Sequence, residues 1–196
     1  MCVAMAAEVS DEVLAARAQA GDAGAFEQLV RGHADRLHAV VQRLVNDEHE
    51  AQEVTQETFL RAWRGLGGFK GDAQFFTWLY RIGINEAKRR ATRRPPAEAR
   101  DSEPGEEEPL ATALDWREAP ETRLAQGELR GVLEREIRAL PLDYRATIIL
   151  RDVEGLSTRE AAEVMELSEA AFKSRLHRAR LTVHEALDDY FPEMER

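Results

Sequence analysis

One stretch of the sequence combines aromatic rings with cations in a way that suits unpaired nucleic acid. The segment GGFKGDAQFFTWLYRIGINEAKRRATRR places several rings directly before a run of Lys and Arg. Cations can follow a phosphate backbone while unstacked bases lie on aromatic faces, each stack being worth about 1–3 kcal/mol. The rings are Phe69, Phe75, Phe76, Trp78 and Tyr80, and the cations are Lys88, Arg89, Arg90, Arg93 and Arg94. Packing in a protein core is the alternative for each ring, because Trp78, Leu79 and Ile82 fall at helical spacing.

Asn85 lies between these rings and cations. Its amide carries both hydrogen-bond donors and an acceptor, which is what reading a base edge requires. The segment is therefore a candidate surface for single-stranded nucleic acid, with Asn85 as the residue that could recognise a base.

A second candidate surface lies near the end of the chain. The run Ser157-Thr158-Arg159-Glu160 is a capping box and predicts a helix from Thr158 to Glu166. After a short break, Ser168 can cap a further helix that extends through Leu187. Two short helices joined by a tight turn predict a helix-turn-helix, whose second helix enters a major groove of DNA.

The second of these helices has one apolar and one polar face. Its predicted buried stripe contains Phe172, Leu176, Ala179, Val183, Ala186 and Leu187. The side chains that point away from this stripe are Lys173, Ser174, His177 and Arg178. Arg175 and Arg180 lie nearer the edges of the stripe, which suits phosphate or scaffold contacts better than base edges. An ordinary solvated face is the alternative interpretation.

Other chemistry is not supported by the residue spacing. The five histidines (His33, His38, His49, His177 and His184) show no spacing with carboxylates that resembles a metal site. Cys2 is the single cysteine, so neither an intramolecular disulfide nor a cysteine-rich zinc site is possible. GLGGFKG lacks the Gly-Lys-Ser/Thr ending of a phosphate loop, and no nucleophile with a base motif is present. We therefore predict no catalytic residue, no metal and no cofactor.

The charges are distributed unevenly along the chain. Its net charge is −10, yet residues 61–94 hold nine basic residues against two acidic ones. Residues 97–121 reverse this balance, with nine acidic residues against two basic ones. Lys173, Arg175, Arg178 and Arg180 form a second basic cluster. Two basic blocks separated by an acidic one predict two contacts with nucleic acid.

Helical periodicity predicts the elements that position these residues. It runs from about Asp11 to Arg94, with Asp22 as a cap for a helix from Ala23 to Val45, and returns from about Glu121 with breaks at Pro141 and Gly155. The proline-rich and acidic residues between have little to bury. We predict an all-α protein with two small helical domains, residues 10–95 and 121–190, joined by an acidic flexible linker at 96–120.

No run of about 20 apolar residues is present, and the start MCVAMAAEVSDE lacks the basic flank and apolar region of an export signal. The sequence therefore predicts a cytoplasmic protein without membrane insertion.

Three long motifs resemble the extracytoplasmic-function (ECF) group of the sigma-70 family of RNA polymerase sigma factors. They are EVTQETFLRAW, FKGDAQFFTWLYRIGIN and LPLDYRATIILRDVEGLSTREAAEVMELSEAAFKSRLHRAR, in the family's order. The resemblance implies two all-helical domains. The first would bind and open the minus-ten promoter element, and the second would carry the helix-turn-helix and read the minus-thirty-five element. It also implies core RNA polymerase, promoter DNA in double-stranded and melted form, and an anti-sigma factor as partners.

The resemblance also implies roles for individual residues. Those that match the family's polymerase-binding helix are Glu53, Gln56, Glu57 and Leu60. Trp78 and its aromatic neighbours match the strand-opening segment, and Asn85 matches a position near a pocket for a flipped base, with the following cations on phosphates. The matches on the minus-thirty-five helix are Lys173, Ser174, Arg175, His177 and Arg178. The acidic linker matches a segment that threads through polymerase toward the RNA exit path.

Two departures from the family pattern are visible. Ala51-Gln52-Glu53 replaces a common Ala-Glu-Asp, which could weaken the polymerase contact, and Ala170-Ala171-Phe172 replaces a common Gly-Thr-Val before the recognition helix. The alanines extend the helical character of the turn, and Phe172 is bulkier than valine.

Two other interpretations remain open from sequence. One is an ordinary helix-turn-helix regulator that binds an operator, and the other is an adaptor that binds polymerase or an anti-sigma factor. The regulator interpretation explains neither the aromatic and basic segment nor the EVTQETF surface. Run-off transcription with purified core polymerase would distinguish them.

Overall fold

All regular structure in the described residues is helical, as predicted. The computed structural model describes residues 9–45, 47–93 and 123–190. Its helices are α1 (Asp11–Gln19), α2 (Ala23–Val45), α3 (Glu48–Gly65), α4 (Phe75–Ala91), α5 (Arg123–Ala139), α6 (Leu142–Ile148), α7 (Thr158–Met165) and α8 (Glu169–Tyr190). A 3₁₀ turn at Leu66–Gly68 precedes α4, and a π-helical turn at Ile149–Val153 continues α6. The chain divides into two compact units, residues 1–89 and 90–196. The predicted linker at 96–120 and Arg94 lie outside the described residues.

Short polar side chains fix where the helices of the first unit begin. Asp22 accepts a hydrogen bond from the Ala25 amide over 3.1 Å, so α2 starts where the sequence predicted. The Arg17 guanidinium also binds the Asp22 carboxylate and, together with this amide, lowers the pKa of Asp22. Asp47 caps α3 in the same way, with its carboxylate 2.7 Å from the Glu50 amide nitrogen. These caps therefore set the residues at which α2 and α3 begin.

A close contact at Gly83 brings α4 against the rest of the first unit. A Cβ atom added to Gly83 would lie 3.2 Å from Leu37 Cδ1 on α2 and 3.5 Å from Thr58 Oγ1 on α3. Neighbouring buried side chains on α4, such as Leu79 and Ile84, complete this core. Glycine therefore permits the approach that brings polar groups of α3 and α4 within ion-pairing distance.

The second unit contains the predicted helix-turn-helix. Ser157 Oγ accepts from the Glu160 amide over 3.2 Å, and the Glu160 carboxylate accepts from the Ser157 amide over 2.9 Å, which is the predicted capping box. The Ser157 hydroxyl also donates to this carboxylate and thereby lowers the pKa of Glu160. Glu166 then takes a left-handed conformation, with φ of 57°, that ends α7.

Helix α8 begins one residue after Ser168, whose hydroxyl accepts from the Ala171 amide. Phe172, Leu176, Ala179 and Val183 are buried as predicted, whereas Ala186 and Leu187 are half-buried. The helix ends at Tyr190, three residues beyond the predicted Leu187. The predicted breaks are also present: Pro141 separates α5 from α6, and Gly155, with φ of 73°, lies between the π-helical turn and α7.

None of the helices in the described ranges combines the length and apolar character that a membrane span requires.

Candidate nucleic-acid interface

The exposed side of α4 carries Trp78 and Asn85. The two residues are seven positions apart and therefore lie on one helix face. Asn85 is exposed and Trp78 is half-buried. The Trp78 ring packs against Phe69, with centroids 5.2 Å apart, and against Phe75, with centroids 5.7 Å apart. This face thus carries one exposed amide and one half-buried indole ring that packs against two phenylalanines.

The other rings of the predicted aromatic surface lie elsewhere. Phe75 and Tyr80 are each only 2% exposed, so a base cannot stack on them and they belong to the core. The direct DNA contact that the sequence predicted for Phe75 and Tyr80 is therefore at odds with their burial. Phe76 is half-buried beneath the Arg36 guanidinium, which lies 5.1 Å from its ring centroid. Phe76 is nine residues before Asn85 and so faces the opposite side of α4, because successive residues are rotated by about 100°.

Arg81 is a residue that the sequence interpretation counted as basic but did not assign. It lies between Trp78 and Asn85 on the same side of α4 and is half-buried. No hydrogen bond or ion pair to its guanidinium is found among the described residues. Its spacing of three from Trp78 and four from Asn85 was the signal that could have identified it.

The predicted phosphate-binding cations have different surroundings. Arg93 is exposed, and Lys88 and Arg90 are half-buried. Arg89 instead donates through Nε over 2.8 Å, and through Nη2, to the carboxylate of Glu86. The Glu86 side chain is only 1% exposed, so this is a contact with a buried anion.

The predicted polymerase-binding residues share one face of α3. Glu53, Gln56 and Leu60 are exposed, and the Leu60 side of the helix is apolar, since Leu60 is 50% and Trp63 is 43% exposed. Trp63 packs on Phe26 with ring centroids 4.9 Å apart. Glu57 is partly covered and binds Arg61 Nε over 2.9 Å. The face is acidic at one end and apolar at the other.

The predicted recognition residues lie on α8 outside its buried stripe. Lys173 is exposed, and Ser174, His177 and Arg178 are half-buried. Arg175 Nη1 lies 3.6 Å from Asp143 Oδ2, which places it near the scaffold edge of the helix.

Arg180 binds the scaffold of the second unit. Its Nε donates to Asp152 Oδ2 over 3.0 Å, and its Nη2 donates to Asp152 Oδ1. The Asp152 side chain is 6% exposed. Of the two roles that the sequence left open for Arg180, phosphate contact or scaffold contact, the structure supports the scaffold contact.

The histidines in the first unit bind ordinary protein partners. His33 Nε2 lies 2.8 Å from Asp11 Oδ2, and His38 Nδ1 lies 3.4 Å from Thr55 Oγ1. Within residues 9–45, 47–93 and 123–190, no three metal-ligating side chains come together.

Comparisons with known proteins match the two units to two regions of one family. Residues 29–95 match the family described as Sigma-70 region 2, and residues 130–183 match Sigma-70, region 4. The chain is 39% identical to RNA polymerase sigma-H factor of Pseudomonas aeruginosa, over 93% of this chain and 96% of that one. It is 38% identical to ECF RNA polymerase sigma-E factor of Escherichia coli K12, over 94% and 96% of the two chains.

Solved structures show the same fold. The chain is similar to CnrH in its complex with the cytosolic domain of CnrY, with a TM-score of 0.66 and 30% identity over 92% of this chain and 99% of that chain. Sigma factor RpoE of Bartonella quintana, in complex with the anti-sigma factor NepR, shares the fold with a TM-score of 0.60, 24% identity and coverage of 87% and 98%.

An operator-binding regulator would account for the second unit alone, so the matches to both regions exclude that interpretation. The chain belongs to the ECF sigma factors of the sigma-70 family, non-enzymatic proteins that initiate transcription by recognising promoters.

Proposed function

We propose that the two units divide promoter recognition between them, with α4 acting on the unpaired minus-ten strand and α8 on the minus-thirty-five duplex. The proposal rests on which side chains of α4 are buried and which are accessible. Phe75 and Tyr80 are buried in the core, whereas Asn85 is exposed and Trp78, on the same helix face as Asn85, is half-buried. A flipped base needs a prepared surface to offset a few kcal/mol of lost stacking. Asn85 supplies hydrogen bonds to the base edge, and Trp78 supports the end of the remaining duplex.

The cations that follow extend this surface along the strand. Lys88, Arg90, Arg93 and Arg94 would contact phosphates, and Arg81, on the Asn85 side of α4, would add a further contact. Such contacts position the protein and supply affinity without reading sequence.

The α3 face would bind core RNA polymerase. Exposed apolar side chains such as Leu60 and Trp63 supply the desolvated centre that a stable interface needs, and Glu53, Gln56 and Glu57 supply polar contacts around it. Phe26 holds Trp63 in place from α2, so the surface is formed before a partner arrives.

Helix α8 would read the minus-thirty-five element through Lys173, Ser174, His177 and Arg178. Their backbone is held by Phe172, Leu176 and Ala179, which are buried behind them. Arg175, beside Asp143, suits the DNA backbone at the edge of the groove.

We also propose domain boundaries of 10–95 and 121–190, with 96–120 as the acidic linker. An anti-sigma factor is proposed as a partner because CnrH and RpoE of Bartonella quintana were each solved with a bound protein, and NepR is an anti-sigma factor. A factor that acts with RNA polymerase works where the bacterial chromosome lies, so we place the chain in the cytoplasm.

Run-off transcription with purified core polymerase tests the function as a whole. The full chain should direct transcription from its promoter without a second sigma factor. Glu53→Lys should reduce the transcript at limiting chain concentration and weaken core binding in a pull-down, because it reverses the charge of an exposed contact residue. Glu27→Lys is the matched control, because this substitution makes the same change of charge at an exposed position on α2. Equal loss of core binding in both variants would contradict the assignment of α3.

Arg178→Ala tests the reading role of α8. If Arg178 binds a guanine with two hydrogen bonds, its loss should cost about 1–3 kcal/mol at that base pair and relax discrimination there alone. Binding to a library randomised across the minus-thirty-five element measures this. Arg130→Ala removes the same charge from an exposed position on α5 and should leave base preferences intact. An even loss of affinity for all sequences in Arg178→Ala would instead indicate a phosphate contact.

A further inference from the structure

A chain of ion pairs links α3 to α4 in the first unit. Arg61 Nε lies 2.9 Å from Glu57 Oε1 and 3.2 Å from Glu86 Oε2. Glu86 in turn binds the Nε and Nη2 groups of Arg89. The four side chains have no net formal charge, although Arg61 and Arg89 are two of the nine basic residues in the stretch of residues 61–94. The Glu86 carboxylate, which water barely reaches, therefore already cancels half of the positive charge of Arg61 and Arg89.

The position of Glu86 makes these pairs hard to break. Its side chain is 1% exposed, whereas those of Arg61 and Arg89 are 43% and 34% exposed. A buried carboxylate that loses its cations remains as an uncompensated charge, which is strongly unfavourable. The two guanidinium groups differ from Glu86, because water can solvate each of them when the pair with Glu86 is broken. The cost of leaving Glu86 unpaired consequently keeps the two arginines in place.

Arg89 is also held in a specific geometry. It uses two different nitrogen atoms toward the two oxygens of Glu86, which is the bidentate arrangement that guanidinium and carboxylate groups favour. A DNA phosphate would compete with the carboxylate for the same planar group. On α4, Arg89 lies four residues from Asn85, so this competition takes place beside the base-reading residue.

We propose that Glu86 is a specificity-determining residue that withholds Arg61 and Arg89 from DNA phosphates. It acts as a positioning residue through these two arginines and touches no DNA itself. The consequence is a lower affinity of the free chain for DNA of any sequence. This matters because non-specific sites greatly outnumber promoters, and affinity for phosphates alone raises binding to all of them. The proposal rests on the proposed function in one respect, namely that α4 faces DNA.

Glu86→Gln tests the proposal in the full-length chain without polymerase. The amide keeps the size of the side chain and removes its charge, and the arginines can turn to solvent, so the unit should remain folded. Binding to a random-sequence duplex is measured between 50 and 200 mM salt. One added phosphate contact changes the logarithmic salt slope by about −0.9, which is about a threefold greater loss of affinity over that range. We expect at least this change, with higher affinity at the low-salt end.

Glu27→Gln is the matched control for net charge. Glu27 pairs with Arg31 on the surface of α2, and the substitution adds the same unit of charge to the same unit of the protein. The proposal predicts a larger slope change for Glu86→Gln than for Glu27→Gln, and a smaller excess when Glu86→Gln is combined with Arg89→Gln. Equal slopes in Glu86→Gln and Glu27→Gln, or an undiminished excess without Arg89, would overturn it.

Arg89→Lys provides an independent test should Glu86→Gln unfold, as monitored by circular dichroism. Lysine keeps the charge but cannot form the bidentate contact, so it is held less firmly and should shift the salt slope in the same direction as Glu86→Gln. An unchanged or weaker slope would instead show that Arg89 already contacts phosphate in the wild-type chain. Neither measurement involves polymerase or a promoter. A failed run-off assay would therefore count against the proposed function, and these results would count only against the role of Glu86.

Discussion

Replacing Arg180 with alanine should destabilise the second unit by about 3–5 kcal/mol, the range for breaking a buried ion pair by removing one partner. The reason is the aspartate that remains. Asp152 is 6% exposed and receives two hydrogen bonds from Arg180, so the substitution leaves a charge that water cannot solvate. Hydrogen exchange of the α8 amides in the full-length chain measures the loss, because it reports the opening of this unit separately from the first.

Two further variants show whether the pair itself is responsible. Asp152→Leu combined with Arg180→Met removes both charges and should recover most of the stability, since well-packed apolar replacements of a buried pair are often neutral or better. Lys173→Ala removes an exposed cation from the same helix and should change stability by less than about 0.5 kcal/mol. If Arg180→Ala keeps full exchange protection but lowers the salt slope of DNA binding by about one, Arg180 contacts a phosphate after all.

The contrast between Arg180 and Arg178 shows what the sequence could and could not predict. Both are arginines on one helix, and helical spacing alone gave Arg180 an edge position with two possible roles. Its partner Asp152 lies 28 residues earlier in the π-helical turn. No local pattern predicts a pair between elements that only the packing of the unit brings together. Arg89 and Glu86 are different, because a spacing of three on a helix was visible in the sequence, but the burial of Glu86 was not.

Local signals predicted the helix boundaries more reliably than burial. Asp22, the capping box at Ser157 and the cap at Ser168 act through hydrogen bonds to residues within three positions, so the starts of α2, α7 and α8 followed from sequence. The aromatic cluster depended on which way α4 faces. Two of its rings, Phe75 and Tyr80, are buried in the core, and composition alone could not separate these from Trp78. The polarity of Asn85 alone did not settle its exposure either, because Glu86, the next residue on the helix, is polar and buried.

Phe172→Ala should also destabilise the second unit, by about 3–5 kcal/mol, which is the usual cost of deleting a buried phenylalanine side chain. Phe172 is completely buried at the start of α8, where Ala170 and Ala171 already belong to the helix. The substitution removes the ring that fixes the recognition helix at its first turn and leaves a cavity beneath it. Hydrogen exchange of α8 again measures the effect. Leu181→Ala is the control, because Leu181 is exposed on the same helix and should cost far less.

The effect of Phe172→Ala on DNA should differ in kind from that of Arg178→Ala. The ring contacts no DNA, so its loss lowers the fraction of chains with a folded recognition helix and weakens binding to every sequence by the same factor. The order of preferred bases should not change, and a temperature low enough to refold the unit should restore affinity. Arg178→Ala should leave the fold intact and alter the preference at one base pair. Equal stability of Phe172→Ala and Leu181→Ala, or a change in the preferred bases with Phe172→Ala while α8 stays protected from exchange, would contradict the role of Phe172 as the internal support of the recognition helix.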